Sequence, residues 1–281
     1  MKQIFRGVRI ALTLTIYFVF APFGYAAFFI WSLLPTSKPE RRAAVLQGIM
    51  RRAFLLMHDW IRGVDLIDCD PRTLEDLSGG KPAVFVANHP TLTDTTSLFA
   101  ALPKLVLIVK PSLFHKWWAK PLLSSAGFFE GPGHELDSLA RTIEDAQDRL
   151  SQGYRIMVFP EGTRSPEDGM HDFGRLAFEI ACRANVPVYP ILITCEPVWL
   201  SKEYPITKFP NTTPTLQLNA MEPVTPADVN GCSRQMRQLV QARFEESLGI
   251  THSVPNPQEE KPYGRIAGTQ NQRSDRRVAN A

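Results

Sequence analysis

The sequence predicts an α/β domain built on a mixed, largely parallel sheet flanked by helices, with an N-terminal hydrophobic membrane anchor. Three observations carry this. Short apolar runs (Ala83–Ala87, Leu105–Val109, Tyr154–Phe159, Val188–Thr194) alternate with stretches of helical periodicity, the pattern of strands joined by crossover helices. Two polar blocks, Asn88-His89-Pro90-Thr91-Leu92-Thr93-Asp94 and Phe159-Pro160-Glu161-Gly162-Thr163-Arg164-Ser165, each follow an apolar run, where sites gather in parallel sheets. The segment from Ile10 to Leu34 carries no charge, and as a helix its roughly 25 residues reach the thickness of a bilayer core.

The 281 residues, 44% of them hydrophobic, suit one domain of ordinary size plus attachments. We divide them into a hydrophobic anchor (1–40), a basic amphipathic helix (41–63), the domain proper (64–250) and a disordered tail (251–281). The tail is polar and rich in Pro, Gln, Asn and Arg, too poor in apolar residues to fold. A net charge of +3 and a pI of about 8.7 give no signature of nucleic-acid binding. Cys69, Cys182, Cys195 and Cys232 are scattered without metal-ligand spacing. They read as reduced thiols in a cytosolic domain, with no metal expected.

In chain order, the uncharged segment is flanked by Lys2, Arg6 and Arg9 before and Lys38, Arg41 and Arg42 after. It reads as a single transmembrane helix, a shallow hairpin broken at Pro22-Phe23-Gly24, or a signal peptide. Basic residues on both flanks leave the topology open, and the larger cluster beyond the segment favours a domain on the cytosolic face of the inner membrane. From Arg41 to Arg62, Leu46, Ile49, Met50, Ala53, Phe54, Met57, Trp60 and Ile61 share one helical face, with Gln47, Arg51, Arg52, His58, Asp59 and Arg62 opposite. This helix packs on the domain or lies in the membrane interface, its arginines on anionic headgroups.

Val64–Asp68 is a candidate strand. Helices are expected over Asp94–Ala101, Ser112–Ser125 (interrupted near Pro121), His134–Ser151, Phe173–Ala184 and Ser233–Leu248, with further strands at Gly127–Phe129 and Thr215–Asn219. His115, Lys116, Trp117, Trp118 and Lys120 form either a surface helix with buried tryptophans or a membrane-interface contact.

A histidine at a buried strand end, with an acid five residues on, can have its tautomer fixed by that acid and keep one ring nitrogen free to take a proton. His89 is thus the candidate general base and Asp94 its orienting partner. In the second block Gly162 allows close backbone approach, Thr163 adds a hydroxyl, and Arg164 can grip a phosphate with two donors. No G-x-S-x-G elbow and no cysteine beside either block is present, which favours direct attack over a covalent acyl-enzyme. Lys110 ends the Leu105–Val109 run.

Together, NHPTLTD and the FPEGTRS block about 70 residues later resemble the 1-acylglycerol-3-phosphate O-acyltransferase (lysophospholipid acyltransferase) family over roughly Val64 to Pro223. The resemblance implies transfer of an acyl group from acyl-CoA or acyl carrier protein to a lipid hydroxyl, with no cofactor beyond that co-substrate. It places Arg164 on the acceptor phosphate, Glu161 on the glycerol and Lys110 near the acceptor headgroup. The expected partners are a lipid membrane, the lysophospholipid acceptor and the thioester donor, not nucleic acid. One departure stands out. Where the family has a glycine, an apolar pair and then an arginine for the acceptor phosphate, this chain has Gly127-Phe128-Phe129-Glu130-Gly131-Pro132-Gly133. An acid has entered and the base is missing, so an acceptor without a glycerophosphate headgroup is the alternative.

Overall fold

The computed structural model describes residues 2–35, 37–133, 136–167 and 169–250; the predicted tail over 251–281 lies outside them. Six strands form one sheet: β1 (Val84–Ala87), β2 (Leu105–Val109), β3 (Phe129–Glu130), β4 (Arg155–Val158), β5 (Val188–Glu196) and β6 (Thr215–Ala220). Their order is β3-β2-β4-β1-β5-β6. The first five run parallel, and only β6 is antiparallel, to β5. The register Val86↔Val158 sets the ends of β1 and β4 level, so the two polar blocks leave the same edge side by side. All four β1 residues are buried, as an unalternating apolar run at the centre of a parallel sheet requires.

The helices are α1 (Lys2–Leu33), α2 (Pro39–Gly63), α3 (Asp94–Ala101), α4 (Pro111–Phe114), α5 (Lys120–Ser125), α6 (Leu136–Ser151), α7 (Leu176–Ala184) and α8 (Ser233–Ser247). The segment from 112 to 125 is interrupted before Pro121, over 115–119, rather than at it. Pro121 falls in the first turn of α5, where its missing N–H costs nothing. Val64–Asp68 is not a strand; it makes only an isolated bridge, Asp68 to Thr215. Val64 N and Leu66 N instead donate to Trp60 O and Ile61 O, and Asp65 takes a positive φ of 58°, so this stretch closes α2. Buried Leu66 and Ile67 then plug the core.

The break at Pro22-Phe23-Gly24 that the hairpin reading requires is absent: α1 continues through Pro22. The α1 and α2 helices lie antiparallel. Trp60 Nε1 donates to Thr13 Oγ1 (3.2 Å), Arg9 pairs with Asp65 (3.2 Å), and Arg42 donates to the Ser32 and Leu34 carbonyls. Among the described residues no helix is long and apolar enough to cross a membrane. The first turns of α1 are docked on the domain: Arg6 is buried, donates to Leu66 O (2.9 Å) and lies over the Trp199 ring.

The predicted polar face of α2 is partly internal. Gln47 is buried and donates to Ala126 O (2.8 Å). His58 is buried against α3, its Nε2 3.3 Å from Ser97 Oγ. Removal from water lowers the His58 pKa to about 4, so the imidazole is neutral at neutral pH. Periodicity assigned these residues outward because it counts polarity, whereas a helix packed on two sides can bury a polar group that meets one partner, as Gln47 Nε2 and His58 Nε2 do.

Candidate active site

The parallel topology delivers His89 two residues beyond β1 and Phe159 one residue beyond β4. The two rings stack with centroids 4.2 Å apart. Asn88 fixes the exit from β1: its Nδ2 donates to Ile193 O (2.8 Å) and its Oδ1 accepts from Ile193 N (2.7 Å). The buried amide thus adds a side-chain rung to the ladder between β1 and β5, and His89 leaves the sheet in a set direction.

Asp94 opens α3 and is fully buried. Its Oδ2 lies 2.8 Å from His89 Nδ1 and accepts from Thr91 N (2.7 Å), while Oδ1 accepts from Thr91 Oγ1 (2.5 Å). Burial pushes the Asp94 carboxyl above the usual carboxylate range, and the bonds from His89 and Thr91 oppose that push. With its Oδ2 accepting from a backbone N–H, the carboxylate receives the imidazole proton on Nδ1, and Nε2 is left as the basic nitrogen. The His89 side chain retains 19% exposure.

The second block is locked to the first. His89 N donates to both Ser165 Oγ (3.0 Å) and Glu161 Oε1 (3.2 Å); Ser165 Oγ donates to Glu161 Oε1 (2.5 Å), and Ser165 N donates to His89 O (2.9 Å). Glu161 Oε2 accepts from His171 N (2.8 Å). Both carboxylate oxygens of buried Glu161 therefore accept hydrogen bonds from within the protein. Gly162 and Thr163 are exposed at the turn, Gly162 with φ +67°. Arg164 is half-buried; its Nη1 donates to Leu200 O (3.3 Å) and Ser201 O (3.0 Å). Leu200 O also accepts from Leu92 N (3.0 Å), which ties the loop after β5 to both blocks.

Lys110 is exposed at the end of β2, and Glu130 at the end of β3 pairs with His115 (2.8 Å). Neighbouring strands are about 4.8 Å apart, so Lys110 stands roughly 10 Å from His89 along the edge. Sequence reasoning passed over Ser165 and Thr91. Their signal was present, since a hydroxyl inside each polar block, beside a buried acid, is a ready donor to it. Burial drives the thiols of Cys69 and Cys195 up to about 11, so neither supplies a thiolate. Among the described residues no group of three His, Cys, Asp or Glu side chains is placed to hold a metal.

The family model described as Acyltransferase matches residues 68–194. Human 1-acyl-sn-glycerol-3-phosphate acyltransferase alpha is 28% identical over 226 residues, covering 79% of this chain and 78% of its own length. The mouse protein of the same name is 31% identical over 173 residues, covering 59% and 60%. The crystal structure of the 1-acyl-sn-glycerophosphate acyltransferase PlsC from Thermotoga maritima superposes with a TM-score of 0.61 at 22% identity, covering 89% of this chain and 97% of that one. Residues 68–194 carry an Acyltransferase domain, and over 79% of its length the chain is similar to a 1-acyl-sn-glycerol-3-phosphate acyltransferase; it is an O-acyltransferase.

Proposed function

We propose that this enzyme moves a fatty acyl group from an acyl thioester of coenzyme A or acyl carrier protein to a hydroxyl of a lysophospholipid such as 1-acylglycerol-3-phosphate. The observation that carries the reading is the His89–Asp94 pair, with the His89 side chain part-exposed and no hydrogen-bond partner for Nε2 among the described residues. Nε2 takes the acceptor hydroxyl proton as that oxygen attacks the thioester carbonyl. Asp94 stabilises the imidazolium, and collapse of the tetrahedral intermediate expels the thiolate, which recovers the proton from His89. The transfer is direct, within a ternary complex.

Arg164 and Lys110 hold the acceptor phosphate; Glu161 and Ser165 hold the His89 backbone. The enzyme works on a membrane with α1 lying along the surface rather than through it. Ile4, Phe5, Val8, Leu12, Phe23 and Ile30 project exposed from α1, while its buried arginine packs on the domain. Glu130 supports a second reading, an acceptor without a phosphate near the end of β3. Its engagement with His115 tempers the repulsion that an isolated acid would exert.

The test is product formation by detergent-solubilised protein from labelled acyl-CoA or acyl carrier protein thioester, with lysophosphatidate against uncharged acceptors. Phosphatidate from either donor supports the first reading. Product from uncharged acceptors alone supports the second, and no product from any combination by folded protein refutes both.

A further inference from the structure

Among the described residues, the large apolar side chains left exposed lie on α1 and the residue after it, on α2, and on the segment 113–118, apart from Leu92, Tyr204 and Leu239. The segment 113–118 stands out because it belongs to the catalytic domain. Trp117 is 78% exposed, with Leu113 and Trp118 also open. It follows β2, so it sits on the same edge as His89.

The segment is joined to α1. The Tyr25 hydroxyl donates to the Trp118 carbonyl, the Tyr25 and Trp118 rings meet edge to face at 6.2 Å, and Phe29 meets Trp117 the same way. At its other end α1 is fixed beyond β5, with Arg6 over Trp199 and Gly7 against Phe209. Strands β2 and β5 flank β4 and β1 in the sheet. The α1 helix therefore runs past the strand ends that bear both polar blocks, with the tryptophan turn at the far end of that run.

The chemistry of the turn is mixed. Lys110, Lys116 and Lys120 are exposed, and none is in an ion pair among the described residues. The acid beside them, Glu130, is taken by His115. Indole rings with lysines beside them match the level of lipid headgroups: the ring sits at the acyl boundary and the ammonium reaches the phosphates. An acidic protein surface would satisfy the lysines but leave Trp117 and Leu113 uncovered.

We propose that the 113–120 segment, packed against α1, is a second lipid contact on the domain itself that recognises an anionic bilayer surface and holds the strand ends bearing His89 toward it. This rests on the reading that the enzyme works on a membrane. Each lysine near an anionic surface strengthens binding about fivefold. The full-length protein is mixed with vesicles of phosphatidylcholine, with or without phosphatidylglycerol, and sedimented. The double variant Lys116→Gln, Lys120→Gln should bind anionic vesicles about 25-fold more weakly and zwitterionic ones as wild type does. Trp117→Ala should weaken binding several-fold to both. Turnover of a water-soluble short-chain acceptor should be unchanged, since none of these residues lies in the catalytic machinery.

If the wild type binds neither vesicle, the membrane reading itself fails. If the wild type binds and the variants bind equally well, the membrane reading stands and this contact is overturned. Variants that bind vesicles normally yet lose turnover only with the acyl carrier protein thioester would make the segment a protein-docking surface, which also overturns it.

Discussion

Asp94→Asn separates what the Asp94 charge does from what its shape does. The carboxylate is fully buried and its Oδ2 accepts from both Thr91 N and His89 Nδ1. An asparagine side chain keeps its oxygen at that position, because the opposite amide orientation would set an N–H against Thr91 N–H. Its Nδ2 then donates to Thr91 Oγ1, so every hydrogen bond survives and His89 keeps its tautomer. What disappears is the negative charge beside a developing imidazolium. Two unit charges about 4 Å apart at an effective dielectric of about 20 interact by about 4 kcal/mol, which corresponds to a kcat loss of about a thousandfold.

Stability should move the other way. The folded Asp94 carboxyl sits above its ordinary value because of burial, so the folded state binds the proton more tightly than the unfolded chain. Stability is then lost as pH rises through the carboxylate range. An amide does not ionise, so at pH 7 Asp94→Asn should melt no lower than wild type. The assay is single-turnover acyl transfer at saturating substrates, beside thermal melting of the same preparations. A kcat within tenfold of wild type in a folded variant would refute the electrostatic role. A large fall in melting temperature would refute the hydrogen-bond accounting.

Ser165→Ala removes the hydroxyl shared by His89 N and Glu161. A buried bond to a charged group contributes about 2 kcal/mol, so we expect a lower urea midpoint and a roughly tenfold lower kcat with KM little changed, and wild-type kinetics would discount the lock between the blocks. His58, held at about 4 in the fold against an ordinary 6.5, contributes stability that is complete above pH 6.5 and lost as pH falls toward 4. Between pH 7 and 5 the loss is about 2 kcal/mol; His58→Gln should flatten the urea-midpoint profile over that window, and an unchanged slope would count against a neutral buried imidazole. Arg164→Lys keeps the charge but cannot span the Leu200 and Ser201 carbonyls while facing a phosphate. Its KM for lysophosphatidate should rise at least tenfold with kcat largely retained, and an equal KM would take Arg164 off the acceptor.

The sheet was readable because a central parallel strand needs a continuous apolar run, and β1, β2, β4 and β5 each have one. The pairing of His89 with Asp94 was readable for a related reason: a polar block at a buried strand end has few places to point. Other features depend on partners distant in sequence. Val64–Asp68 has strand composition, yet Leu66 and Ile67 satisfy the core without a neighbouring strand. Gln47 and His58 look solvent-facing until Ala126 and Ser97 arrive from elsewhere in the chain. Glu161 carries the functional signature of its block, but its direction was settled by the backbone of His89 and His171, which no local pattern encodes. The arginine-to-acid change near Glu130 was visible in sequence, while its pairing with His115 required the packing of the segment after β2 against β3.

The central claim is that His89 is the base. It is tested most directly by the rate of phosphatidate formation from acyl thioester and lysophosphatidate, comparing wild type with His89→Ala in the same detergent. General-base assistance supplies about 10² to 10⁴ in rate. The account predicts a loss within that range in kcat, with unchanged melting temperature and unchanged lysophosphatidate binding. A folded His89→Ala variant that retains kcat within tenfold of wild type would contradict it.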